Sequence, residues 1–170
     1  LISGGTGFVG KHLTALLLKR GYSVSILTRK VQANQKDVFY YQWDVAQQTI
    51  DEKAVAKADY IVHLAGENIA EKRWTAKRKA AIIESREQST VVLYSVIKKQ
   101  NKKLEAFVSA SAIGIYGAVD GPEICTEDMP PANDFLGYTC QKWEDSLDFI
   151  ENRNIRTVKI RTGLVLGKGD

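Results

Sequence analysis

Apolar residues in this chain come in short bursts, separated by stretches in which they recur every three or four positions. The bursts at 1–3, 23–28, 38–43, 60–65, 104–109 and 155–162 predict strands; the second carries Val24, Ile26 and Leu27, and the third is aromatic. Between bursts the period becomes that of a helix. One helix is predicted over 7–20, with Val9, Leu13, Leu16 and Leu17 on one face and Gly21 as its stop. Others are predicted over 51–57, 75–100 and 137–152. In the longest, Ala81, Ile82, Thr90, Val92, Leu93, Val96 and Ile97 supply the apolar positions.

Strands that alternate with helices imply parallel βαβ units joined by right-handed crossovers. The expected fold class is therefore α/β, a Rossmann-like doubly wound parallel sheet of order 3-2-1-4-5-6 with helices on both faces. Ligands of such sheets bind at the carboxyl ends of the strands, where the strand order reverses. Pro122, Pro130 and Pro131 mark an irregular segment over 117–136, and loops of that length in a compact domain are usually functional. No repeat or low-complexity tract interrupts the pattern.

Composition narrows the class. A chain of 170 residues suits one domain with a sizeable core, and 44% apolar with 26% charged residues argues against disorder and against a coiled coil. No apolar run approaches the roughly 20 residues of a membrane helix, and neither a membrane partner nor a secretory leader is expected. Cys125 and Cys140 cannot build a disulfide framework, so a reducing, cytoplasmic setting is expected. The net charge of +4 suits an anionic small ligand and falls short of a nucleic-acid signal. The basic stretches at 72–79 and 98–103 read as solvated helix ends, although Trp74 inside the first leaves an anion or substrate contact open.

The chemistry begins at Gly4-Gly5-Thr6-Gly7-Phe8-Val9-Gly10, which follows the first strand and opens the first helix. Its first glycines permit a tight turn, Gly7 lets backbone approach a pyrophosphate, and Gly10 lets helix and strand pack closely. The helix N-terminus offers free N–H groups and partial positive charge to phosphate. Dinucleotide binding is the expectation. An NAD site usually places an acidic residue at the end of the second strand, but here stand Thr28, Arg29 and Lys30. Arginine can hold a 2′-phosphate with a planar fork, so NADP is the expected cofactor, with NAD as the alternative. A plain surface arginine is the competing reading. Asp44, past the third strand, is a candidate for the adenine amino group or else a turn residue.

Tyr138 and Lys142 are spaced to share one helix face. A free tyrosine ionises near about pH 10, and a neighbouring ammonium favours its phenolate, as a general acid–base requires. Ser111, where the fifth strand runs out, is a candidate to hydrogen-bond the substrate oxygen; Ser109 competes with it.

These elements together resemble the extended short-chain dehydrogenase/reductase superfamily, in its NAD(P)-dependent epimerase/dehydratase branch. The resemblance spans nearly the whole chain: the glycine loop, Asp44-Val45, His63-Leu64-Ala65-Gly66, the 109–117 segment, Glu127 with Pro130, Tyr138 with Lys142, and Arg161-Thr162-Gly163. Leu64-Ala65-Gly66-Glu67-Asn68-Ile69, Lys72-Arg73-Trp74 and Trp143-Glu144 look like the branch's "epimerase family protein" group. The resemblance implies catalytic roles for Ser111, Tyr138 and Lys142, with Lys142 also on the nicotinamide ribose. It implies cofactor contacts from Leu64, Ala65, Gly66 and Ser109, closure over the nicotinamide by Arg161, Thr162 and Gly163, and substrate contacts from Glu67, Asn68 and Trp74. No metal is expected. Two features depart from the branch: one extra residue lies between Ser111 and Tyr116, and Ala112-Ile113 replace the Asp-Glu pair of dehydratases, which argues against sugar-nucleotide dehydration. The expectation is an NADP-dependent oxidoreductase or epimerase acting on a small, sugar-like substrate; the alternative is a non-catalytic NADP sensor or scaffold. A homodimer is left open. The chain starts inside an apolar run and ends in a loop after a strand, so residues 1–170 are expected to be the NAD(P)-binding domain of a longer protein, without its C-terminal substrate region.

Overall fold

The computed structural model describes residues 1–119, 121–122 and 124–167. The expected loop at Lys168-Gly169-Asp170, and two positions of the 117–136 segment, lie outside the described residues. The strands are β1 (Ile2–Ser3), β2 (Val24–Thr28), β3 (Val38–Asp44), β4 (Thr49–Ile50), β5 (Tyr60–His63), β6 (Ala106–Ala112) and β7 (Thr157–Thr162). They form a seven-stranded sheet in the order β4-β3-β2-β1-β5-β6-β7. The six expected strands stand in the expected order and are all parallel, while β4 adds a short antiparallel edge beside β3. The helices are α1 (Phe8–Lys19), α2 (Glu52–Ala56), α3 (Ala76–Lys99), α4 (Phe135–Asp145) and α5 (Asp148–Glu151), with a 3-10 turn at Ile113–Tyr116.

Local chemistry sets these boundaries. Asp51, Thr75 and Asp134 cap α2, α3 and α4, each accepting a backbone N–H of the first turn. Asp134 draws the start of α4 ahead of the predicted position. The predicted helix over 137–152 is divided at Ser146, whose hydroxyl bonds back to the Trp143 carbonyl at 2.7 Å and reaches Thr90 at 3.1 Å. β6 runs on to Ala112 because β7 pairs beside it as far as Ala112 and Thr162.

Two apolar cores cover the two faces of the sheet. Leu27, Trp43, Ile61 and Phe107 meet α2, α3 and α5 on one face, while Ile2, Val24, Ile26 and Val38 meet Leu13, Leu17 and Leu18 of α1 on the other. Here the expected α1 stripe is corrected: Val9 and Leu16 are exposed, at 43% and 46%. Gly10 must lie against the glycine loop, and that contact rotates the helix so that 10, 13 and 17 face inward. Both cysteines are free thiols.

Candidate functional site

The glycine loop joins β1 to α1 at the carboxyl edge of the sheet. Gly4 has φ +73°, and a Cβ there would lie 2.9 Å from the Leu64 carbonyl carbon. A Cβ on Gly10 would overlap the Gly4 carbonyl oxygen. Both positions therefore demand glycine, and the loop rests directly on the 64–65 backbone. Gly7 is the N-cap of α1 and brings no capping side chain. The Lys11 N–H closes the first turn onto the Gly7 carbonyl at 2.9 Å; among the described residues the N–H groups of Phe8, Val9 and Gly10 ahead of it find no acceptor. No acidic residue stands in that turn. A cleft of about 400 Å³ opens beside it, lined by Gly5, Thr6, Lys11, Gln32, Gln35 and Tyr40.

At the end of β2 the Thr28 hydroxyl accepts from the Lys30 N–H at 3.2 Å. Arg29 and Lys30 are exposed and form no ion pair among the described residues. At the end of β3, Asp44 Oδ1 accepts from the Ala46 and Gln47 N–H groups, the turn role that competes with an adenine contact. Leu64, Ala65 and Gly66 continue from β5. The Leu64 N–H donates to the Ser3 carbonyl, and the Ala65 N–H reaches Ser3 Oγ at 3.4 Å. Ser3 Oγ also lies 2.5 Å from His63 Nδ1. His63 is fully buried, with Ser89 Oγ 3.0 Å from Nε2. Burial, and secondarily the nearby Arg86 charge, push its pKa down to about 4, so the ring is neutral.

The expected substrate contacts are engaged in holding their own loop. The Glu67 carboxylate takes Arg78 Nη1 at 2.7 Å, and Asn68 Oδ1 accepts the Ala70 N–H at 2.9 Å. Trp74 donates to the Ile69 carbonyl at 2.7 Å and meets the Phe135 ring edge-on at 5.0 Å, with part of its face open to solvent.

On α4, Tyr138 and Lys142 stand one turn apart, the ammonium 5.6 Å from the phenol ring centroid. Tyr138 is 48% exposed, and its hydroxyl has no partner among the described residues. Ser111 stands near the end of β6. It is buried and donates to Glu144 Oε1 at 2.5 Å, because its β6 position faces α4. Ser109, two residues earlier on the same strand face, is buried and donates to the Ala110 carbonyl at 3.0 Å. Neither serine is hydrogen-bonded to Tyr138.

Arg161 is committed to partners within the protein. Its Nε and Nη2 grip both Glu144 oxygens at 3.0 Å, and Nη1 donates to the Tyr116 hydroxyl at 2.9 Å and the Glu127 carbonyl at 3.0 Å. A guanidinium committed in this way braces β7, α4 and the segment after β6. Burial alone would raise the Glu144 carboxyl, but hydrogen bonds from Arg161 and Ser111 outweigh it and hold the carboxyl below its usual range. The Thr162 hydroxyl donates to the Ser111 carbonyl at 2.7 Å, and Gly163 follows at the strand end beside Ile113. Sequence reasoning did not single out Tyr116, Glu144, Arg78 or Arg86 as site residues. Glu144 and Arg161 meet only through tertiary structure, so no local spacing announces them.

The model of the NAD dependent epimerase/dehydratase family matches residues 1–169. The chain belongs to that family. Among its relatives is epimerase family protein YfhF of Bacillus subtilis, 37% identical over 98% of this chain and 55% of that protein. The chain spans about half the length of the curated relatives it matches. Two solved structures share the fold. The nucleoside-diphosphate sugar epimerase from Corynebacterium glutamicum aligns at TM-score 0.79 and 34% identity, over 98% of this chain and 34% of that one. The human epimerase family protein SDR39U1, crystallised with NADPH, aligns at TM-score 0.73 and 29% identity, over 99% of this chain and 55% of that one. Membership accounts for the parallel sheet and for the loop that opens α1. Among the described residues no helix is long and apolar enough to cross a membrane.

Proposed function

We propose that this chain is the nucleotide-binding part of an NADP-dependent oxidoreductase or epimerase acting on a hydroxyl or carbonyl of a small, sugar-like substrate. The observation that carries the reading is the bare N-terminus of α1. Where α2, α3 and α4 each carry a capping side chain, α1 presents uncapped N–H groups behind glycines that keep its approach clear. That is an anion site fitted to a pyrophosphate. Gly4 to Gly10 would hold the pyrophosphate, Asp44 the adenine, Ala65 and Gly66 the path toward the nicotinamide, and Arg29 with Lys30 the 2′-phosphate. The human relative crystallised with NADPH supports the same choice of cofactor.

Bound nicotinamide supplies hydride transfer. The chain supplies the proton: Tyr138, with its hydroxyl free, takes it from or returns it to the substrate oxygen, and Lys142 one turn on steadies the phenolate. Ser111 enters through its place at the end of β6. Its hydroxyl hydrogen is given to Glu144, so toward any substrate group it can only accept. The burial of Ser111 is also the observation that favours a second reading, a non-catalytic NADP sensor. Calorimetric titration of the chain with NADPH and with NADH tests the cofactor, and the expected result is tighter NADPH. Tighter NADH would overturn the NADP assignment. A metabolite screen of the longer protein, following NADPH absorbance, separates enzyme from sensor.

A further inference from the structure

Arg86, in the middle of α3, touches two elements of the site at once. Its Nη1 donates to the Glu67 carbonyl at 3.2 Å and to the Ile82 carbonyl of its own helix at 2.9 Å. Its guanidinium lies over the Trp143 ring, 4.8 Å from the centroid, and Trp143 directly follows Lys142 on α4. It also fills the space that a side chain at Gly66 would need, since a Cβ there would be 3.1 Å from Arg86 Cζ.

No carboxylate lies within ion-pair distance of Arg86 among the described residues. Carbonyl oxygens and an aromatic face are its direct partners, with the Cys140 thiol and the Arg78 cation nearby, and a half-buried cation held without a carboxylate is costly to keep. A methionine would fill the space between Gly66 and Trp143 without that cost. What the guanidinium adds is a fixed separation, because its rigid fork grips a backbone carbonyl while its plane lies on a ring. The two gripped elements flank the carboxyl edge of the sheet: the turn after β5 touches the glycine loop at Gly4, and Trp143 neighbours Lys142.

We propose that Arg86 is a positioning residue that clasps the Gly66–Glu67 turn to α4, so that nucleotide on the glycine loop and the Tyr138–Lys142 pair keep one spacing. The inference rests on the nucleotide-binding reading above. Arg78 makes the clasp separable from folding. It holds the outer part of the same turn through the Glu67 carboxylate and the Asn68 carbonyl, so the turn keeps an anchor when Arg86 is replaced.

The test is NADPH affinity, measured by titration on the 170-residue chain at 25 °C alongside the melting temperature. Arg86→Met is expected to raise the NADPH Kd about tenfold or more, and Arg86→Lys to recover less than half of that on a logarithmic scale, since an ammonium lacks the planar fork. A purely structural role would lower the melting temperature and leave the Kd of the folded protein unchanged, and that result overturns the proposal. A double-mutant cycle adds a second readout. Gly66→Ala should weaken NADPH binding severalfold when Arg86 is present, and much less in the Arg86→Met background, where a flexible thioether can yield. Equal penalties in the two backgrounds overturn the clasp. Should Arg86→Met not fold, the same cycle is run in the Arg86→Lys background with the same criterion. Failure of the unaltered chain to bind either NADPH or NADH overturns the nucleotide reading and the clasp together. Normal binding by the unaltered chain with no change in the variants overturns the clasp alone.

Discussion

The two halves of the sheet's carboxyl edge treat their polar groups in opposite ways. On the β1-α1-β2 side the groups are left open: three N–H groups without acceptors, and Arg29 and Lys30 without carboxylates among the described residues. On the β6-α4-β7 side they are closed on one another: Ser111, Glu144, Arg161 and Tyr116 form one network that also takes the Glu127 carbonyl. Open groups at an edge are desolvated at a profit only when a ligand arrives, which marks binding. Closed groups already have partners, so a ligand gains less from them, which points to bracing. On the proposed reading Arg29 is placed to bind and Arg161 to brace, although both stand at strand ends.

The largest expected effect lies at the exception. Tyr138 belongs to the closed side, yet its own hydroxyl is open. In a protein of the relatives' full length, Tyr138→Phe keeps the ring and removes that hydroxyl, and turnover should fall by about 10²–10⁴-fold with NADPH affinity nearly unchanged. Steady-state kinetics on a substrate found by screening checks it. Near-full turnover would put Tyr138 outside the chemistry.

The closed side should fail by unfolding. Glu144→Ala leaves Arg161 and Ser111 facing a partner that is gone; because Arg161 is only half-buried, the cost should fall below the roughly 3–5 kcal/mol of a fully buried pair broken from one side. Urea titration should show that loss, and replacing Arg161 by Met as well should return most of it. If Glu144→Ala unfolds like the unaltered chain, the network is not a brace.

Between the halves sits His63, neutral and buried between Ser3 and Ser89. Its folded pKa, about 4, is below the unfolded value of 6.5. The unfolded chain therefore takes up this proton first as pH falls. Above pH 6.5 the group adds no pH dependence; from 6.5 down to about 4 stability is lost, in total about 3 kcal/mol, and below that the loss is complete. Urea midpoints measured across that interval check it, and His63→Gln should flatten the slope.

The open side was legible in the sequence because its signals are local. Glycine spacing, a strand end and an uncapped helix start all lie within a few residues of one another. The parallel sheet was legible for the same reason, one burst and one helix at a time. The closed side was not. Ser111 faces inward because of the register of β6, and Arg161 reaches Glu144 because β7 pairs beside β6, the strand on which α4 packs; both facts depend on elements far apart in the chain. Hydrophobic period misplaced the α1 stripe, since the packing of Gly10 against Gly5 and Gly4 overrode it. The Tyr138–Lys142 neighbourhood was legible because it is a helical spacing, whereas the Glu67–Arg78 ion pair was not, because Arg78 comes from the next helix.

The smallest expected effect is the sharpest test of the open side. Arg29 follows β2 at the position where an acidic residue would grip ribose hydroxyls, and it stands exposed, bonded among the described residues only through its carbonyl, to the Gln42 amide at 3.1 Å. A free guanidinium there can take a 2′-phosphate in a two-pronged, charge-assisted contact, worth about 1.5–3 kcal/mol for hydrogen bonds to charged groups. Solvent screening at an exposed site reduces that, so Arg29→Asp should weaken NADPH binding by about tenfold, near 1.4 kcal/mol. NADH has no 2′-phosphate to lose, and an aspartate can accept from its ribose hydroxyls, so NADH affinity should hold or improve. Folding should not change, because the side chain braces nothing. Calorimetric titration of both nucleotides against both proteins reads the ratio directly. A ratio unmoved by the substitution would mean that Arg29 is only a surface cation, and the preference for NADP would then have to come from Lys30 or from the cleft beside α1.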